Sequence, residues 1–258
     1  MLEHIGPASD RCPPIMRILF SGYSYFKRRN MDKLSVIIVA AGEGKRLGRE
    51  TPKAFVPLGG KPLFAHSLLA FDSFPETGEL FLVVAPSMTG KAIDSIGSMN
   101  CQHEVTIVAG GEHRWQSAES GVRACNPDSD WVLIHDAARP FITHEIIAAL
   151  VEKKPAFRCV ITAIPENDTI RRIDGDLCLE TVDRSSLIRV GTPQLFHQQT
   201  LLKAFNRAPT LANPPTDEAM LMEHIGIPVG YAPGDPLNFK ITTEKDLFLA
   251  EALIAQKK

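Results

Sequence analysis

The chain has 258 residues, 44% of them hydrophobic, enough to bury a full core within one large domain. A formal charge of −2 gives no global basic field, which argues against a nucleic-acid partner. Five cysteines (Cys12, Cys101, Cys125, Cys159, Cys178), an odd number without CxxC spacing, speak against a disulfide framework or a zinc cluster and read as reduced thiols in a cytosol-like compartment.

Residues 1–33 differ from the rest. They carry Pro7, Pro13 and Pro14, an aromatic patch from Tyr23 to Phe26 and the basic run Lys27-Arg28-Arg29. No apolar run there reaches the length of a membrane span or a secretory core. Glu3 and Asp10 fit a transit peptide poorly, and Met31 lies just ahead of the first strand. The reading is a poorly ordered extension over 1–33 before a domain over 34–258 in the cytoplasm; a transit peptide would instead direct the chain to a plastid.

The domain opens with Val36-Ile37-Ile38-Val39-Ala40, a strand buried on both faces. A loop follows in which Gly42, Gly44 and Gly48 alternate with Lys45, Arg46, Arg49 and Lys53. Glycines let backbone N–H groups approach an anion, and neighbouring cations neutralise it, so the stretch suits a polyphosphate. It lacks the third glycine of the dinucleotide fingerprint and the lysine-serine ending of the P-loop.

Strands and helices then alternate. Pro62 suits the first turn of a helix burying Phe64, Leu68 and Phe71. Leu80–Val84 reads as a strand, residues 88–97 as a helix, and Val105–Val108 as a third strand. Gly110-Gly111 leads to a helix with Trp115, Ala118 and Val122 on one face; Trp131–Ile134 is a fourth strand. A helix from about Thr143 buries Ile146, Ile147, Leu150 and Val151, and Cys159–Ile164 returns as strand. This alternation predicts an α/β fold, a single Rossmann-like domain whose mostly parallel sheet has helices on both faces. Ligands then belong over the carboxyl ends of the strands.

Residues 168–184 alternate like the limbs of a hairpin around the polar turn Asp174-Gly175-Asp176. Such an arm, spanning about 166–186, has too little core to stand alone and calls for a partner. Further on, Thr216-Asp217-Glu218 starts a helix, Ile227–Tyr231 suggests a strand, and Thr243–Asp246 is a capping box before a helix burying Leu247, Ala250 and Ile254.

Three polar stretches fall at strand ends: the loop from Ala41 to Lys53, Gly110–Ser117, and His135–Pro140. Asp136 has the placement of a magnesium ligand that bridges to substrate phosphates, and Arg139 could clamp a phosphate. Each stretch alone also reads as an ordinary turn with satisfied polar residues.

Together, AAGEGKRLG with PKAF, GGEHRWQS, HDAARPF, TVDRSSLIRVGTPQLF, TDEA and NFKIT, in this order over residues 34–256, resemble the 2-C-methyl-D-erythritol 4-phosphate cytidylyltransferases of the non-mevalonate isoprenoid pathway. Their near neighbours, the ribitol-5-phosphate cytidylyltransferases, share the pattern. The resemblance implies that the acceptor phosphate attacks the α-phosphorus of CTP, giving a CDP-linked polyol and pyrophosphate. It implies that Arg46, Lys53 and Lys240 stabilise the reacting phosphates and that Asp136 holds Mg²⁺. Ala40, Ala41, Gly42, Gly44 and Gly110 would line the nucleotide site, with Gly111 and Ser117 recognising cytosine. Ala137, Arg139, Thr192, Thr216 and Lys240 would form the polyol-phosphate pocket, completed across a homodimer by Thr169 and Arg184 of the arm. His135 then reads as structural rather than as a base. Ala54 and Ala118 depart from residues common in the family, glutamine and valine, without removing a charge. Three other readings remain: a ribitol-phosphate enzyme, an idle nucleotide-binding regulatory protein and, least compatible because no GxGxxG is present, a dehydrogenase.

Overall fold

A computed structural model describes residues 2–4, 15–18, 33–42 and 51–256. Two short strands, Leu2–His4 (β1) and Ile15–Ile18 (β2), come first, followed by Leu34–Val39 (β3). The two-residue strands Pro57–Leu58 (β4) and Lys61–Pro62 (β5) face each other across Gly59 and Gly60, whose φ of 56° and 84° only glycine adopts readily. Leu63–Asp72 (α1), Thr77–Val84 (β6), Thr89–Gly97 (α2), Val105–Ala109 (β7), Arg114–Ala124 (α3) and Trp131–Asp136 (β8) follow in strict alternation. His144–Val151 (α4) leads to Cys159–Pro165 (β9), and then to the hairpin Ile170–Asp174 (β10) and Leu177–Val182 (β11). The chain closes with Ile188–His197 (β12), Gln198–Phe205 (α5), Glu218–His224 (α6), Gly230–Pro233 (β13) and Glu244–Gln256 (α7).

The main sheet has the order β1-β2-β7-β6-β3-β8-β12-β9-β13. From β3 the chain steps outward through β6 and β7, then returns to lay β8 against the other side of β3. This reversal opens a crevice at the carboxyl ends of β3 and β8, where open α/β sheets bind ligands. All strands from β3 to β13 in this sheet run parallel except β12, which pairs antiparallel with both β8 and β9.

Alternation along the strands sorts the core into two layers. Val36 and Ile38 of β3 face a cluster with Phe64, Leu68, Ile96 and Leu150 of α1, α2 and α4. Ile37 and Val83 point to the opposite face, against Val122, Leu201, Phe205 and Met222 of α3, α5 and α6. A third cluster packs Leu247 and Ala250 of α7 on Leu58, Leu63 and Ile241. Helices therefore cover both faces, as the alternation predicted. No helix among the described residues is long and apolar enough to cross a membrane.

Three details depart from the sequence reading. Strand β12 and helix α5 fall where none was expected, because Gly191 and Pro193 interrupt the strand pattern. The last strand begins at Gly230 rather than Ile227, since Pro228 has no N–H to give a ladder. Pro62 caps α1 from the end of β5 instead of lying inside its first turn. Within the leading segment, β2 pairs antiparallel with β7 and carries β1, extending the sheet edge; its other residues lie outside the described ones.

Candidate active site

The crevice is walled by Val39–Gly42 at the end of β3, Gly111–Arg114 and Ser117 around the start of α3, Asp136–Ala138 after β8, and Lys53, Ala54 and Lys240. The loop after β7 lies close against β3. A Cβ on Gly110 would come within 2.6 Å of the Ala41 Cβ and 2.8 Å of the Ser117 hydroxyl, so only glycine fits. A Cβ on Gly42, by contrast, would meet nothing within 4 Å among the described residues. Ser117 is buried; its Oγ accepts from the Gly111 N–H at 3.2 Å and lies 3.3 Å from the His113 carbonyl, so the hydroxyl fixes the glycine loop to α3.

An ionic chain forms the floor. Arg114 donates from Nε to Asp136 Oδ1 at 2.9 Å and from Nη1 to Glu218 at 2.7 and 2.8 Å, while Lys240 Nζ donates to Asp136 Oδ2 at 2.7 Å. Two carboxylates thus alternate with two cations. Burial alone would raise the Asp136 carboxyl, but the Arg114 and Lys240 charges outweigh it and hold the group far below the usual carboxylate range. Burial opposes the charge of Arg114 too; the flanking carboxylates more than compensate and raise its pKa. Glu218, completely buried at the start of α6, is pushed up by desolvation, which Arg114 only partly offsets.

Behind Asp136 lies a network of hydrogen-bonded polar groups. Its backbone N–H donates to Thr192 Oγ1 at 3.0 Å, and that hydroxyl lies 3.2 Å from His135 Nδ1. His135 Nε2 meets the Arg139 carbonyl at 3.0 Å, which assigns the ring proton to Nε2 and makes Nδ1 the acceptor for Thr192. Burial lowers the His135 pKa to about 4, so the ring is neutral near pH 7 and its edges are already occupied. Arg139 donates from Nη1 to the Asn238 carbonyl at 3.0 Å, and Asn238 Nδ2 in turn donates to the Thr192 carbonyl at 3.0 Å. The buried Nε of Arg139 has no partner among the described residues.

A second cavity opens beside the first, lined by Arg139, Thr162, Arg189, Gly191, Asn238 and Lys240. Lys240 borders both.

A sequence profile of the 2-C-methyl-D-erythritol 4-phosphate cytidylyltransferase family matches residues 34–256. The chain belongs to this family. A cytidylyltransferase of that name from Halalkalibacterium halodurans is 38% identical over 227 residues, covering 86% of this chain and 97% of the relative. The namesake from Alkaliphilus metalliredigens is 36% identical over 231 residues, covering 88% and 95%. The crystal structure of the Thermus thermophilus enzyme superposes with a TM-score of 0.70 at 30% identity, over 86% of this chain and 99% of that one. The family resemblance in the motifs is therefore sound, and this is a nucleotidyltransferase domain.

Of the residues that the resemblance singled out, Ala40, Ala41, Gly42, Lys53, Gly111, Ser117, Asp136, Ala137 and Lys240 meet in the crevice, with Gly110 packed directly behind. Arg139 lies in the adjoining cavity, and Thr192 is buried beneath Asp136. Thr169 and Arg184 stay out on the arm, where Arg184 donates to the Asn167 carbonyl and lines a separate hollow with Glu166, Asp183 and Tyr231. Thr216 is exposed just before α6. Gly44 and Arg46 lie outside the described residues.

Sequence reasoning missed Arg114 and Glu218 as site residues. A signal existed: Arg114 is the first residue of α3, where the helix dipole disfavours a cation, so another group must hold it. Nothing local revealed that this group lies on α6.

Proposed function

We propose that the chain transfers CMP from CTP to 2-C-methyl-D-erythritol 4-phosphate, releasing pyrophosphate, with residues 34–258 as the catalytic domain in a cytoplasmic setting. The observation that carries this reading is the placing of Lys240 on the wall between two cavities. A nucleotide triphosphate in the crevice and an acceptor phosphate beside Arg139 would meet at its ammonium group. An oxygen of the acceptor phosphate attacks the α-phosphorus, the bond from that phosphorus to the β-phosphate oxygen breaks, and pyrophosphate departs. The nucleophile is already an anion, so no general base is required. This agrees with the neutral, fully bonded His135. The task is to bring anions together and to stabilise charge at phosphorus, which preorganised cations do best. Lys53, Lys240 and, from the loop outside the described residues, Arg46 take that part.

Mg²⁺ belongs to this reading. Among the described residues no cluster of three acidic, cysteine or histidine side chains could hold a metal alone. A single carboxylate at the crevice, Asp136, nevertheless suits Mg²⁺, which takes one or two protein carboxylates and completes its shell with phosphate and water. When bound, the ion would neutralise triphosphate charge. The chain's own contribution is to keep Asp136 ionised and oriented.

The homodimer also belongs here. Ile173, Leu177 and Leu179 on the hairpin arm are more than half exposed, and Thr169 and Arg184 lie on that arm rather than in the crevice. A partner's arm reaching over would cover the first set and deliver the second. Cys101, Cys125, Cys159 and Cys178, all free thiols, agree with a cytoplasmic setting.

Pyrophosphate release from CTP with Mg²⁺, compared between methylerythritol phosphate and ribitol 5-phosphate, tests the reading. Release with the first acceptor is expected. Release with ribitol phosphate alone would keep the chemistry and change the substrate, and CTP binding without release would leave a nucleotide-binding protein.

A further inference from the structure

Glu218 lies in the first turn of α6 but is not needed to cap that helix. Asp217, its neighbour, already caps α6 by accepting from the Met220 N–H at 3.0 Å. The Glu218 carboxylate instead gives both oxygens to one nitrogen of Arg114, with no exposure of its side chain to solvent. Burying such a pair costs desolvation that apolar side chains of similar size would avoid, so stability is a weak reason for its presence.

Its geometric effect is specific. A guanidinium is planar and rigid, so fixing Nη1 also fixes the direction of Nε. Held at Nη1 by Glu218, Arg114 aims Nε at Asp136 Oδ1, 2.9 Å away. That leaves Oδ2 as the oxygen open to exchange, and there the partner is Lys240, whose side chain is about one-third exposed. The two ends of the chain therefore differ: Glu218 is sealed behind Arg114, whereas Lys240 borders both cavities and can change partners.

We propose that Glu218, acting through Arg114, is a positioning residue that locks Asp136 so that a single carboxylate oxygen, Oδ2, serves the reaction site. When substrate draws Lys240 toward phosphate, Asp136 stays put and Oδ2 is released to its next partner. Without the lock, Asp136 would swing with the lysine, and the two cations would compete for one mobile carboxylate. The inference rests on the nucleotidyl-transfer reading above, and concerns how the site is held rather than what it binds.

The test uses the full chain with Glu218→Gln, which keeps the shape and removes the charge, and Arg114→Lys, which keeps a charge but loses the planar fork. Steady-state pyrophosphate release gives kcat and the KM for CTP, circular dichroism gives the folded fraction, and a ligand-free crystal structure of the Glu218→Gln variant gives the Arg114 position. The expected result is a fall in kcat of about 10- to 100-fold per folded molecule in both variants, the range seen when a supporting partner of a functional ligand is removed. The KM for CTP should move far less, with Arg114 Nε displaced from Asp136 Oδ1. A kcat within about twofold of the parent would overturn the proposal, whatever KM does. So would an Arg114 Nε still bonded to Oδ1 in that structure. Should Glu218→Gln fail to fold, the kcat of Arg114→Lys decides by the same criterion. Absence of pyrophosphate release by the parent would remove the reaction reading and this proposal with it, whereas a working parent with unaffected variants would remove the proposal alone.

Discussion

The crevice between β3 and β8 and the hairpin β10–β11 are built on opposite terms. Around Asp136 the side chains are buried or half-buried and hydrogen-bonded to one another, so the geometry is set by the chain's own packing. On the arm, Ile173 and Leu177 are exposed to 67% and 63%, and ion pairs such as Arg172–Glu180 sit in solvent, where they contribute little. Two strands without a packed face are marginal in water. The difference teaches that one half of the proposed site is held by the chain's own packing, whereas the other half, on the dimer proposed above, would need a second surface.

Four experiments would break or sharpen that contrast, and the first carries the largest effect. Lys53→Ala removes a cation from the crevice and should lower kcat for pyrophosphate release by about two to three orders of magnitude, the scale for losing one preorganised charge-stabilising donor. A fall of less than tenfold would mean that the crevice cations do not stabilise the reacting phosphates. Next, Ile173→Glu combined with Leu177→Glu should weaken self-association by more than about tenfold, read by sedimentation, because exposed apolar anchors carry interface energy. Activity should fall in parallel. An unchanged dimer would show that the arm is not the contact.

Thr192→Val keeps the shape but leaves the Asp136 N–H and His135 Nδ1 unpaired in the interior, and should cost about 1–3 kcal/mol in denaturant unfolding. If acceptor KM rises without any loss of stability, the hydroxyl serves substrate instead. The smallest effect belongs to Asp246. Burial would raise its carboxyl, but bonds from Thr242 and Thr243 outweigh this and lower it to about 2. A carboxyl lowered on folding stabilises fully above its unfolded value near 3.8 and loses that contribution as pH falls toward 2. Asp246→Ala should therefore cost about 1 kcal/mol at pH 7 and less at pH 2. An equal cost at both values would place the effect elsewhere than in its charge.

How much of this was legible depended on whether the cause was local. The strands β3, β6, β7, β8 and β9 appear in the sequence as short apolar runs because both faces are buried. The capping box at Thr243 and Asp246 was equally visible, and both of its bonds are present. Strand β12 was hidden because Gly191 and Pro193 sit inside it, where the register with β9 shifts between Gly191 and Gln194. In the site, Asp136 was visible at the end of a strand, whereas Lys240 was reached only through the family resemblance carried by NFKIT. The Arg114–Glu218 pair was not, since its members lie on helices far apart in the chain, and Glu218 alone reads as an ordinary acidic residue of a helix's first turn. Burial and a tertiary partner gave them a different part.

The path of the chain around β3 also has a consequence for biosynthesis. β3 pairs with β6 through Val36 and Leu80, but its other side stays bare until Leu133 of β8 has been made and brought back across the sheet. Closing so long a loop slows folding, and the edge of β3 remains open to wrong partners until it happens. Lys240 arrives later still, beside Ile241, which packs against Leu247 and Ala250 of α7. A nascent chain on the ribosome therefore carries its glycine loop long before it owns the opposing wall, and gains its nucleotide crevice only once the segment around Lys240 has been made.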